Sequence, residues 1–124
     1  MPLFFNMLQR AKQIFVALIW TSQENPGTYL SYVATTLNNL AILQKAKNEY
    51  AQALENYEEA LKIYRDLAKE NHEAYEIDYA RMLIMGAYLF EKDKEELKRA
   101  KKILEKYPNV YTAQRLLELI KTFE

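Results

Sequence analysis

The sequence predicts an all-α fold, a stack of antiparallel helical hairpins with about six helices, and three observations carry that expectation. Apolar residues recur at three-to-four spacing through almost the whole chain, the period of a helix with one buried face. Only two glycines and three prolines interrupt 124 residues, so little stops a helix once begun. The breaks between periodic stretches are about two to six residues long, which forces each helix back antiparallel on its predecessor.

The elements follow in order. A leading helix runs from about Leu3 to Thr21, with Leu3, Phe4, Met7, Leu8, Ala11, Ile14, Phe15, Leu18 and Ile19 in register, and Gln23 to Gly27 close it. A second covers about Tyr29 to Ala46, its stripe being Tyr29, Val33, Leu37, Leu40, Ala41 and Leu43, with Lys47 and Asn48 in the turn. The third, about Glu49 to Glu70, carries Tyr50, Ala53, Leu54, Tyr57, Ala60, Leu61, Tyr64, Leu67 and Ala68, a nearly unbroken amphipathic series. Asn71 and His72 interrupt the pattern, and a fourth helix of about Glu73 to Phe90 buries Ile77, Ala80, Leu83, Ala87 and Phe90. Gly86 inside it costs about 1 kcal/mol relative to alanine, which points to a close helix crossing. A charged fifth helix, about Lys94 to Tyr107, has Leu97, Ala100, Ile103 and Leu104 as its apolar line until Pro108 stops it. Val110 to Phe123 forms the last, with Ala113, Leu116, Leu117 and Ile120 inward.

Composition narrows the function classes. Half the residues are apolar and 27% are charged, the balance of a globular domain in water. Lys plus Arg equals Asp plus Glu at 17 each, so the long-range positive field behind non-specific nucleic-acid binding is missing and no nucleic-acid partner is expected. The chain has no cysteine, which removes disulfide and thiolate chemistry and suits the cytoplasm. The apolar N-terminus does not read as a secretion signal, because Arg10 and Lys12 lie inside it and no small-residue cleavage site follows Trp20. Ile14 to Trp20 is too short to span a bilayer, and no membrane partner is expected.

Catalysis is equally hard to build. His72 is the sole histidine, and no cysteine nucleophile, second imidazole or glycine-rich phosphate loop accompanies it. Carboxylates are many but fall on exposed helix positions instead of facing each other across a pocket. The expectation is a non-enzyme without metal or cofactor.

Self-comparison exposes an internal repeat. Glu24-Asn25-Pro26 and Tyr29 match Glu70-Asn71-His72 and Tyr75, and Ala34 and Leu37 match Ala80 and Leu83, 46 positions on. Tyr50, Ala53 and Tyr57 pair with Leu97, Ala100 and Leu104 at 47. Leu37, Leu40-Ala41, Tyr50, Ala53, Tyr57 and Ala60, within Val33 to Tyr64, resemble the tetratricopeptide repeat, specifically the longer-period kind seen in kinesin light chains. In that pattern alanine lets two helix axes approach while aromatics of the neighbouring helix fill the flanking holes. The second copy is degenerate, keeping Leu83, Gly86, Ala87, Leu97, Ala100 and Leu104 but placing Tyr107 where alanine is expected. In the first copy Asn48 and Arg65 replace the turn glycine and closing proline. The resemblance implies one domain over 1–124 in a right-handed solenoid: a leading helix at 1–22, a well-formed repeat at 29–70, a degenerate repeat at 73–107 and a capping helix at 110–124.

The resemblance also implies a function, a scaffold or adaptor that holds a protein or peptide. First helices of such repeats line a concave face, which assigns Thr35, Asn38, Asn39, Ile42 and Lys45, and on the fourth helix Arg81, Ile84, Met85, Tyr88 and Glu91. An amide at Asn39 offers a donor and an acceptor to a peptide group, and Arg81 could fork a ligand carboxylate. The paired basic residues of the family's chaperone-tail clamp are not both present. The alternative is a self-associating homodimer. Seven consecutive apolar residues, Ile14 to Trp20, exceed what one helix face buries against one neighbour; either this helix is central within its own stack, or a second copy covers it, which makes Phe4, Phe5, Leu8, Phe15, Leu18, Ile19 and Trp20 candidates for a two-fold contact. Tyr50, Tyr57 and Tyr64 read as core at seven-residue spacing. Lys98, Arg99, Lys101, Lys102 and Lys106, interleaved with Glu95, Glu96 and Glu105, read as a solvated face with pairs one turn apart.

Overall fold

The computed structural model of the chain describes residues 6–14, 26–91 and 94–123. All its regular structure there is helical: α1 at 6–14, α2 Pro26–Ala46, α3 Tyr50–Glu70, α4 His72–Leu89, α5 Lys94–Leu104 and α6 Tyr111–Lys121. Each helix from α2 onward packs on the next, and α4 also touches α6. The ion pair Lys12–Glu59, 3.1 Å, sets α1 beside α3. The hairpin stack is therefore the observed architecture.

Local sequence explains the joints. Pro26 and Gly27 open α2 instead of closing the leading helix, because proline suits a first helical position, where no backbone donor is needed. At the other end of α2, Asn48 takes the left-handed conformation with φ 64°. Its N–H donates to the Lys45 carbonyl at 3.0 Å while that of Glu49 reaches the Gln44 carbonyl at 2.8 Å, the paired bonds of a Schellman end. Asparagine thus does the work of the turn glycine absent from this copy. A single residue, Asn71, separates α3 from α4: its N–H closes α3 on the Leu67 carbonyl, and its side chain accepts from the Ala74 N–H.

The core runs continuously through α2 to α6. Ala34, Ala41, Ala53, Ala60, Ala80 and Ala100 have no exposed surface, as expected where helix axes nest closely. Gly86 meets the sharpest version of that demand, since a Cβ there would strike the hydroxyl and ring of Tyr57. Tyr57 reaches under α4, donates to the Met82 carbonyl at 2.8 Å and stacks at a tilt on Phe90, centroids 5.1 Å apart. Burial pushes its phenol well above the usual range, and the charge of Glu96 adds to this.

Four stripe assignments need correction, two of them on α1, where Met7 is 63% and Ile14 60% exposed. Leu43 is 41% exposed and Tyr50 50% exposed, whereas Gln44 is buried, its side chain accepting from the Asn56 amide at 2.8 Å. The inward line of α2 continues Leu37, Leu40, Ala41, Gln44 at three-to-four steps, so residue 43 is rotated off it. Tyr50 opens α3 and only leans its ring edge on Phe90. The end of α5 also differs. It stops at Leu104 because Pro108 disfavours helical backbone at Tyr107. Tyr107, released from the helix, turns its hydroxyl onto Glu76 at 2.8 Å.

Glu76 becomes the hub of the second hairpin. Its largely buried carboxylate receives Tyr107, Lys106 at 2.8 Å and His72 at 3.5 Å. Burial alone would raise its pKa, but the hydrogen bonds from Lys106 and Tyr107 outweigh that and hold it below the usual carboxylate range. The Tyr107 phenol is pushed up to about 12 by burial and by its bond to Glu76. Lys106, just past the end of α5, therefore pairs across to α4, and Glu95 pairs with Lys98 at 3.3 Å.

Candidate functional site

Helical periodicity puts Thr35, Asn38, Asn39 and Ile42 on one face of α2, turned away from the Leu37, Leu40 and Ala41 face that packs into the core. Asp78, Arg81, Met85 and Tyr88 do the same on α4. The faces meet where the Asn38 amide nitrogen donates to Met85 Sδ at 3.4 Å. Two hollows lie along this seam.

The first, about 210 Å³, is polar and is lined by Thr35, Asn38, Asn39, Asp78 and Arg81, with Tyr64 of α3 and Met82 beneath. Thr35 and Tyr64 share a hydroxyl hydrogen bond of 2.9 Å. Burial raises the Tyr64 phenol, and the bond from Thr35 partly offsets this. Arg81 donates to Asp78 at 2.9 Å, one helical turn away. Both partners are well exposed, so the pair contributes little by itself and can be exchanged for another carboxylate. Asn38 Oδ1 is buried without a hydrogen-bond partner.

The second hollow, about 420 Å³, is almost wholly apolar. Ile42 of α2 and Ile84, Met85, Tyr88 and Leu89 of α4 line it, with Leu119, Thr122 and Phe123 from the end of α6. Tyr88 and Phe123 face each other at 5.8 Å. Tyr88 is 69% exposed, an unusual outlay of aromatic surface unless something covers it.

Seven of the residues assigned from sequence, Thr35, Asn38, Asn39, Ile42, Arg81, Met85 and Tyr88, thus lie along one seam. Lys45 lines neither hollow. Ile84 is only 2% exposed and serves the core as much as the hollow floor. Glu91 lies past the end of α4 at φ 50°, because α4 stops about a turn before the place that the repeat offset from α2 implies. Sequence reasoning missed Asp78, Tyr64 and the α6 contribution. Asp78 was legible as a partner three residues before Arg81. Leu119 was hidden between the inward Leu117 and Ile120. Of the self-association candidates, Phe4, Phe5, Phe15, Leu18, Ile19 and Trp20 lie outside the described residues, and Leu8 is half-buried.

Among the described residues no helix is long and apolar enough to cross a membrane, and no three His, Asp or Glu side chains converge as metal ligands do. The fold and its seam define a class, the helical-hairpin repeat protein. Residues 7–66 match the family model for the tetratricopeptide repeat, and over that stretch the chain belongs to the tetratricopeptide-repeat family, a family of protein-interaction modules. The match begins inside α1 and ends inside α3, so the leading helix is part of the repeat pattern while the second hairpin lies beyond the match. No curated protein and no solved structure matches the chain.

Proposed function

We propose that the chain is a non-catalytic adaptor that holds a peptide or an exposed protein segment along the seam of α2, α4 and α6. The observation that carries this reading is the junction of a polar hollow and an apolar one on the first-helix side of the stack. A peptide needs both: its backbone amides require donors and acceptors, which Asn38, Asn39 and Thr35 offer, and its side chains supply most of the affinity by burying apolar surface against Ile42, Met85 and Tyr88. Arg81 takes a ligand carboxylate by leaving Asp78. The cysteine-free composition fits a cytoplasmic setting.

The test is capture of partners from the source cell by wild type and by the double variant Asn39→Ala/Arg81→Ala, compared by mass spectrometry. The expected result is loss of specific partners with helical circular dichroism unchanged, since both side chains are exposed. Undiminished capture would place the binding surface elsewhere.

A second reading, self-association through the leading helix, draws on Met7 and Ile14, 63% and 60% exposed on α1. Phe4, Phe5, Leu8, Phe15, Leu18, Ile19 and Trp20 would extend that contact. Light scattering after size-exclusion chromatography distinguishes the two, because a monomer at high concentration removes the second.

A further inference from the structure

The peptide seam does not account for the basic C-terminal quarter of the chain. Residues 94–123 carry eight Lys and Arg against four Glu, whereas residues 26–91 carry six against ten Asp and Glu. The overall neutrality therefore hides a charge asymmetry between the middle of the chain and its C-terminal quarter. It coincides with a packing defect: α5 and α6 touch more sparsely than any other consecutive pair from α2 onward. Between them lies a cleft of about 440 Å³ floored by Leu97, Ile120 and Phe123 and edged by Lys94, Lys98 and Lys101.

The edge has a regular pattern. Lys94, Lys98 and Lys101 follow the i, i+4, i+7 spacing of one helix face, with Leu97 between them. A ligand that matches this row must present apolar groups to the floor and negative charge to the rim with the same rise per turn. A second helix laid alongside α5 does so, since its residues recur at the same three-to-four steps. The Lys98–Glu95 pair is no obstacle, because both side chains are highly exposed and such pairs exchange readily.

We infer that the α5–α6 cleft, which shares only Phe123 with the peptide seam, is a second docking site for an acidic amphipathic helix of a partner protein. Its apolar face covers Leu97, Ile120 and Phe123, and its Asp or Glu side chains meet Lys94, Lys98 and Lys101. This site stands whether or not the seam binds peptide.

The experiment uses the full chain and two fluorescein-labelled synthetic helices with leucine at three-to-four spacing, one flanked by glutamate and its twin by lysine. In fluorescence anisotropy the glutamate helix binds saturably, at least about tenfold more tightly than the lysine twin, and weakens as salt rises. Lys94→Glu/Lys98→Glu lowers that affinity by about tenfold or more with unchanged helicity and melting, and Leu97→Ala weakens it without any change of charge. Asn39→Ala/Arg81→Ala leaves it unaltered, which separates this site from the seam. Equal binding of the twins, or indifference to Lys94→Glu/Lys98→Glu, would overturn the inference. So would competition by a single-stranded DNA oligonucleotide as effective as the glutamate helix, which would reveal a general polyanion surface. A wild-type dimer that Lys94→Glu/Lys98→Glu dissociates would do so too, because it would assign the cleft to a second copy of the chain.

Discussion

The two hairpins of this chain solve one packing problem by different means. In the first, α2 and α3 are 21 residues each and nest through alanines at 41, 53 and 60 that have no exposed surface. In the second, α4 and α5 have 18 and 11 residues, and where the first copy places Ala60 the second places Tyr107. Pro108 frees that tyrosine from the helix, and its hydroxyl fastens it to Glu76. A short helix held by a polar clasp closes less surface than a long one held by interdigitation. The cleft beside α5 and the apolar hollow at α6 both lie at this loosely closed end, so the second hairpin supplies what the first lacks: open, unevenly charged surface.

The most severe way to break the contrast is to fill the first hairpin. Ala53→Trp or Ala60→Trp is expected to cost about 3 kcal/mol or more, lowering the thermal midpoint or abolishing folding. A tryptophan accepted without penalty would show that the helices do not nest there. Gly86→Ala, which drives a methyl into Tyr57, is expected to cost about 1–3 kcal/mol despite the better helix propensity of alanine. If Tyr57→Phe is combined with it, part of that loss returns, because the hydroxyl is the nearest atom.

The clasp gives a pH test of the second hairpin. Glu76 has its folded pKa lowered, so its contribution is present above the unfolded value, near 4.3, and is lost as pH falls through the folded value. Glu76→Gln should cost about 1–2 kcal/mol at neutral pH, and the gap between variant and wild type should narrow in acid. Urea titrations at several pH values check this, and a gap independent of pH would mean the carboxylate is not the fastening charge. The smallest effect belongs to the turn of the regular hairpin. Asn48→Ala, at φ 64°, is expected to cost about 1 kcal/mol, while Asn48→Gly is neutral or slightly stabilising.

How far the molecule was legible beforehand differs by element. Leu37, Leu40, Ala41, Ala53, Tyr57 and Ala60 announced the first hairpin because burial on one helix face leaves a periodic trace. Gly86 announced its crossing because glycine is costly in a helix without such a reason. Gln44 and Asn56 left no comparable sign, since a polar residue in an apolar stripe reads as a break until its partner, twelve positions away, is brought to 2.8 Å. The seam was partly readable: Thr35, Asn38, Asn39 and Ile42 fall off the buried stripe, and the repeat offset carried that face to Arg81, Met85 and Tyr88. Leu119 and Phe123 could not be added, because the register of α6 on α4 is fixed by contacts and not by spacing.

The sequence by itself determined that the chain folds as helical hairpins, which residues of α2 and α3 mostly turn inward, that a turn falls at Asn48, and that helices cross closely at Gly86. These are local matters of period, backbone preference and side-chain size. Only the tertiary structure decided that the freed Tyr107 meets Glu76, that Lys106 joins it, and that α5 and α6 pack sparsely. Those outcomes depend on which distant groups meet, and a single chain's spacing carries no record of such meetings.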